Sequence, residues 1–296
     1  MRSWLFIEAD SQSKLGKAPL IGADAIVVDL GCIPADEGAE AMREEVATWL
    51  KTHSDPLVAN KAFARWVRIK PLDGPLWRED LMAVMEGAPD GVILPKTGGP
   101  QQVRQLASEL YEIEQKLGLK HNSTKIMPQI GETPHAALTL SELTQDPQPR
   151  LTGFTWNAQG LAERLGAKRT QDENGRWTDV MRHVRANVIL LAKSMGVTPI
   201  ETPTIDAADV ERGALDARAA REDGFTGMCA THPRQVGAIN EAFSLSSCER
   251  AEADAMINLF AAEKAAMAAA KEMKAVEMPA AENEVQSQLQ KLRAIG

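Results

Sequence analysis

From the first residues to about position 240, short β-rich apolar segments alternate with longer amphipathic stretches. Segments at 4–8, 25–30, 66–69, 91–94, 125–130, 153–155, 198–201 and 227–230 read as eight strands. The stretches between them carry helical periodicity. In 100–118, Val103, Leu106, Leu110 and Ile113 recur at spacings of three and four, and Val180, Val184, Val188 and Leu191 repeat the pattern further on. Eight strands with crossover helices in some 240 residues match the size of a (β/α)8 barrel, about 250 residues. An open doubly wound sheet is the alternative, but no GxGxxG follows the first strand. The expectation is an α/β protein with a closed (β/α)8 TIM barrel over 1–243, its chemistry at the C-terminal ends of the strands.

After about Phe243 the composition shifts to Ala, Glu, Met and Lys. Residues 246–273 read as a long helix capped by Ser246 or Ser247, and 283–294 as a shorter one beyond Pro279. A helical arm over 244–296 has little core of its own, so it is expected to pack on a neighbouring subunit. With 44% hydrophobic and 25% charged residues the composition is globular, and no apolar run nears the roughly 20 residues of a membrane span. The apolar stretch ending at Ile7 is too short for a signal peptide before Glu8 and Asp10, which points to the cytoplasm. A net charge of -8 argues against nucleic acid as a partner. Cys32, Cys229 and Cys248 make no CxxC pair, against a disulfide framework or zinc site.

The expected strand ends carry a recognisable set. It comprises Arg2-Ser3-Trp4-Leu5-Phe6, Gly22-Ala23-Asp24-Ala25 running into Val28-Asp29-Leu30, and Val67-Arg68-Ile69 with Pro71-Leu72. It continues with Asp90-Gly91-Val92-Ile93-Leu94-Pro95-Lys96, Glu132-Thr133, Leu161-Ala162 with Leu165-Gly166-Ala167, and His232-Pro233-Arg234-Gln235. In this order and spacing the set resembles the HpcH/HpaI aldolase and citrate lyase family, especially its citrate lyase beta-like and malyl- or citramalyl-CoA lyase-like branch. The resemblance implies a carbon-carbon lyase acting on a hydroxy-dicarboxylic acyl-CoA of malyl, citramalyl or citryl type, giving an acyl thioester and a 2-oxo acid. It also implies Mg2+, coenzyme A as part of the substrate, and a homo-oligomer, a trimer or hexamer.

Carried over by resemblance, Arg68 is the catalytic residue that stabilises developing negative charge, and Glu132 is the metal ligand. Glu277 falls on a family carboxylate that acts as acid or hydrolytic residue from a neighbouring subunit. Arg68, Lys70 and Asp29 are the expected substrate-binding residues; a positive charge at Lys70, where the family has an amide, favours direct binding of a carboxylate. The pattern departs elsewhere. Gly31 and Cys32 stand where the family has an acidic pair, Gly98 where it has a Glu, and Gly160 where it has the second metal-binding Asp, so the Mg2+ site is weakened. Two local substitutes are available: Asn157 and Gln159 offer neutral oxygens near the vacant ligand position, and the acids Asp36 or Glu37 could fold back from the second βα loop. The competing reading is a catalytically inert barrel that binds an acyl-CoA or carboxylate in a regulatory or assembly role.

Plainer structural roles stand beside these. Arg68 also suits a rim ion pair, and Glu132-Thr133-Pro134 also suits a helix start. His232 suits a loop-shaping hydrogen bond, Thr97-Gly98-Gly99 a turn before a helix, Cys32 a small buried hydrophobe, and Lys14 and Lys17 solvated charge rather than contacts to coenzyme A phosphates.

Overall fold

The computed structural model describes residues 1–33, 38–54, 63–204, 206, 208–245, 249–252, 254–262 and 264. Eight parallel strands close into a barrel in chain order: β1 (Ser3–Glu8), β2 (Ala25–Asp29), β3 (Ala64–Arg68), β4 (Gly91–Thr97), β5 (Lys125–Ile130), β6 (Gly153–Trp156), β7 (Thr198–Glu201) and β8 (Gly227–Ala230). The described helices are α1 (Gln12–Lys17), α2 (Ala39–Thr52), α3 (Trp77–Met85), α4 (Pro100–Leu117), α5 (Pro134–Leu138), α6 (Ala158–Leu165), α7 (Asp179–Ser194), α8 (Val210–Asp223) and α9 (Pro233–Ala242). The expected (β/α)8 TIM barrel is the observed fold.

Strand alternation produces two cores. Leu5, Ile26, Val28, Val67, Val92 and Leu94 face the helices, whose apolar stripes cover them. Trp4, Val27, Trp66, Ile93, Met127 and Cys229 fill the barrel interior. Trp66 meets Trp4 edge to face at 5.0 Å. A Cβ on Gly91 would lie 2.4 Å from the Trp66 ring, so the residue opening β4 is the one that can stand beside that indole. On α4 the expected stripe of Val103, Leu106, Leu110 and Ile113 is buried. On α7 the buried stripe is Met181, Val184, Val188 and Leu191, whereas Val180 is half exposed. Val180 lies in the first turn, one position before Met181 takes up the inward direction.

A buried ion pair fastens α4 to the entrances of β5 and β6. Arg150 grips both carboxylate oxygens of Glu114 at 2.7 Å, and Glu114 also accepts from the Asn122 and Thr124 backbone N–H groups. Burial pushes the Glu114 carboxyl up, but Arg150 and those N–H groups outweigh it and hold the group at about 2 against an ordinary 4.5. The group therefore binds fewer protons folded than unfolded, so its stabilisation is complete above pH 4.5 and lost as pH falls toward 2. Arg150→Ala strands a buried carboxylate and is expected to destabilise the barrel by about 3–5 kcal/mol in denaturant unfolding at pH 7. A loss below about 1 kcal/mol would contradict this role.

The chain divides into two compact units, Met1–Ser244 and Leu245–Gly296. In the second, 249–252 and 254–262 are helical, and Met256, Ile257, Leu259 and Phe260 are exposed. Ser246, Ser247, the rest of the expected arm, Glu277, and also Asp36 and Glu37, lie outside the described residues. No helix among the described residues is long and apolar enough to cross a membrane.

Candidate functional site at the C-terminal mouth of the barrel

Strand register brings the first two groups together. Asp29 of β2 is paired with Arg68 of β3, two residues beyond the interior positions Val27 and Trp66, so both side chains point into the mouth. The Arg68 guanidinium donates from one terminal nitrogen to both Asp29 oxygens, at 3.0 and 3.2 Å, and from Nε to Gln129 Oε1 at 2.9 Å. Gln129 follows Met127 by two along β5, which gives it the same inward direction. Arg68 is thus a rim ion-pair partner, held in one orientation with the rest of its fork free for an anion.

Glu132 follows the end of β5 by two residues. Gly131 makes the turn at φ +70, and a Cβ there would lie 2.6 Å from Val184 Cγ1, so both backbone and packing require glycine. The carboxylate is 3% exposed. Its Oε1 accepts from Asn157 Nδ2 at 3.0 Å and its Oε2 from the Lys96 backbone N–H. That N–H is aimed by a bulge in β4, where the register shifts between Leu94 and Thr97 and Lys96 takes φ 50. Glu132 is not the cap of α5, because Thr133 accepts the Ala136 N–H there. Burial pushes the Glu132 carboxyl up, against the opposing pull of the Lys96 N–H, the Arg68 charge and the Asn157 amide. A carboxylate whose neighbours do not offset its burial is short of positive charge.

Asn157 caps α6, its Oδ1 accepting from the Gly160 N–H at 3.0 Å. This fixes the amide orientation: the oxygen faces an N–H donor and the nitrogen faces a carboxylate. The expected neutral oxygen near Glu132 is therefore a nitrogen, because the cap has already claimed the oxygen. Gln159 borders a cavity at this mouth, with its Nε2 donating to Glu163 at 3.3 Å. A Cβ on Gly160 would lie 3.2 Å from Glu132 Oε1 and 2.7 Å from Asn157 Nδ2, so position 160 looks straight at the carboxylate. Among the described residues no three His, Cys, Asp or Glu side chains gather to hold a metal ion.

The Lys70 ammonium, expected to meet a substrate carboxylate, is bound to Asp80 Oδ2 at 2.7 Å. Asp80, fully buried at the start of α3, also holds Arg43 at 2.7 Å. Lys70 is therefore neutralised behind the rim, and Asp80 was not legible from the strand ends. Cys32 is exposed rather than buried, because the turn Leu30–Cys32 carries it outward from the rim. A Cβ at Gly31 would lie 3.1 Å from Asp29 Oδ1 and 3.5 Å from the Arg68 guanidinium, so Asp29 meets that guanidinium with no side chain at 31 between them. His232 shapes its loop as expected, accepting from the Arg234 N–H to cap α9. Gly98 donates its N–H to the Gln102 side chain in the turn before α4.

Arg68, Asp29, Gln129, Asn157 and Thr204 line a cavity of about 490 Å3 floored by Phe6 and Cys229. Burial pushes the Cys229 thiol up to about 12, so it is a packing group and no nucleophile. A second cavity of about 480 Å3 shares Phe6, Asp29 and Thr231 with the first and adds Lys14 and Lys17. The arrangement is one oriented guanidinium lining a chamber, one buried carboxylate bonded to Asn157 of that lining, and an adjoining cavity that carries Lys14 and Lys17 together with Glu8.

Residues 2–233 match the family model described as HpcH/HpaI aldolase/citrate lyase. Similar proteins include a citrate lyase subunit beta-like protein of Deinococcus radiodurans, 28% identical and covering 88% of this chain and 86% of its own. A (3S)-malyl-CoA thioesterase of Cereibacter sphaeroides is 27% identical, with 88% and 82% covered. Among solved structures, the citrate lyase beta subunit from M. tuberculosis complexed with oxaloacetate and magnesium superposes with a TM-score of 0.66 at 26% identity, covering 82% of this chain and 96% of that one.

Proposed function

Because the chain belongs to the HpcH/HpaI aldolase/citrate lyase family, we propose that it cleaves the carbon-carbon bond of a hydroxy-dicarboxylic acyl-CoA of malyl, citramalyl or citryl type, releasing an acyl thioester and a 2-oxo acid. The observation that carries this is the oriented Arg68 guanidinium facing a chamber next to the buried Glu132 carboxylate. In the reaction the substrate hydroxyl loses its proton, its oxygen forms a carbonyl as the carbon-carbon bond breaks, and the electron pair moves onto the thioester oxygen, whose enolate is then protonated at carbon. Arg68 is the group proposed to stabilise that oxygen charge, and its bonds to Asp29 and Gln129 hold the guanidinium in one orientation. Preorganisation by the pair matters because a guanidinium free to reorient would lose much of its effect.

Mg2+ fits the donor set in part. Glu132 is a hard, buried carboxylate short of positive charge, and Mg2+ is commonly held by one or two carboxylates with waters and substrate completing the shell. Bound there, the ion would supply Lewis-acid polarisation of the substrate hydroxyl and carboxylate oxygens. Gly160 brings no second carboxylate, so affinity rests on Glu132 and on the substrate itself. Lys14 and Lys17 in the adjoining cavity suit the phosphates of coenzyme A. Glu277 is retained as the acid or hydrolytic group. The exposed Met256, Ile257, Leu259 and Phe260 support an arm that packs on a second copy in a trimer or hexamer.

A second reading, an inert barrel that binds an acyl-CoA or carboxylate for a regulatory or assembly role, draws its support from the bare position at Gly160. A cleavage assay over malyl-, citramalyl- and citryl-CoA with Mg2+ separates the two. Release of a 2-oxo acid from one of the three is expected. Binding of the thioesters without release supports the inert barrel and overturns the lyase.

A further inference from the structure

The two cavities at the mouth meet along one ridge. They share three lining residues, Phe6, Asp29 and Thr231. These come from β1, from β2 and from just past β8, and β1 is hydrogen-bonded to β2 on one side and to β8 on the other. The ridge is therefore one continuous arc of the rim. On one side of it lies the chamber of Arg68 and Gln129, and on the other the cavity that carries Lys14 and Lys17 with Glu8. Two of the three ridge residues are polar: Asp29 is tied to Arg68, and Thr231 is exposed. Phe6 is the one apolar member. It follows Trp4 by two along β1, so its side chain takes the same inward direction, packs on the interior cluster and stays half-buried beside both cavities.

An acyl-CoA whose reacting end lies with Arg68 and whose phosphates lie with Lys14 and Lys17 has to cross this arc. The first uncharged part beyond the acid is the carbon that joins it to the thioester, and the ridge offers that carbon one apolar surface. We propose that Phe6 selects the acyl group: its ring packs against the carbon next to the thioester and leaves room there for hydrogen but not for a methyl branch, so that acetyl-type thioesters are cleaved in preference to propionyl-type ones. This rests on the lyase reading and narrows its substrate class. A ring seated on the interior cluster suits the role, because it cannot withdraw from a branched guest without disturbing close-packed neighbours beneath it.

The test compares kcat/KM, in Mg2+, for whichever of malyl-, citramalyl- and citryl-CoA the full chain cleaves and for the homologue of that thioester with one methyl on the carbon next to the thioester, repeated on Phe6→Leu and Phe6→Ala. Both members of the pair release the same 2-oxo acid, so the acid end is constant and the ratio reads the acyl group alone. The unaltered protein should prefer the unbranched thioester by about 10- to 200-fold, the scale on which an apolar pocket judges one methylene. Phe6→Ala should narrow that ratio about tenfold or more, and Phe6→Leu about threefold or more. Phe6→Leu keeps an apolar side chain on the interior cluster and decides the matter if the alanine variant does not fold. No preference in the unaltered protein, an unchanged ratio in a folded variant, or equal loss for both thioesters overturns the assignment and leaves the lyase reading standing. Release of no 2-oxo acid from any of the thioesters by the unaltered protein removes the inference and the lyase reading together.

Discussion

Arg68→Ala is expected to lower kcat for thioester cleavage by at least about 10^2–10^3-fold, the effect of deleting one preorganised oxyanion donor. The fold should survive, because the pair with Asp29 is partly exposed at the mouth rather than sealed in the core. Its loss lies between the cost of a surface pair and that of a buried one, about 1–3 kcal/mol. Arg68→Lys is the sharper control. It retains the charge but cannot reach Asp29 and Gln129 at once, so it should recover only part of the lost rate. Steady-state kinetics and near-ultraviolet circular dichroism on the two variants check this, and wild-type kcat in a folded Arg68→Ala protein would remove Arg68 from the chemistry.

Gly160→Asp is expected to tighten Mg2+ binding by about 10- to 100-fold or more, the scale of changes around a metal shell. A Cβ at position 160 would lie 3.2 Å from Glu132 Oε1, and the atoms in the way are Asn157 Nδ2 and Cγ, so the new carboxylate takes the place of the Asn157 amide beside Glu132 at the cost of its cap. Position 160 is the third residue of α6, where an added carboxylate suits the helix dipole. Without metal, two carboxylates at that separation repel, so the variant should melt below wild type in chelator and above it in millimolar Mg2+. Identical Mg2+ titrations for both proteins would mean that Glu132 does not face the cation.

Barrel closure and the inward pairs were legible because they obey period two: Val27 predicts Asp29, and Trp66 predicts Arg68. The same rule reaches Gln129 from Met127, a signal present in the sequence but passed over because glutamine is chemically mild. The Arg68 bonds to Asp29 and Gln129 span 39 and 61 residues, and only closure of the sheet brings those groups together. Three features escape any pattern of side chains. The Lys96 N–H is a backbone donor aimed by a bulge, Asp80 captures Lys70 from a helix, and the direction of the Asn157 amide depends on a cap three residues on. Each is set by local backbone geometry. That is why Lys70 and Asn157 looked like free ligands in the sequence, and why Cys32, on a short turn with apolar flanks, looked buried.

If Glu132 and Arg68 serve one chamber, a cation at the first and an acid at the second must help each other. Calorimetric titration of Mg2+ into the protein with and without saturating oxaloacetate measures that coupling directly. The prediction is weak Mg2+ binding alone, tightened at least about tenfold by oxaloacetate, with oxaloacetate tightened by the same factor in Mg2+. Equal Mg2+ affinity in both titrations, or no heat in either, would contradict it.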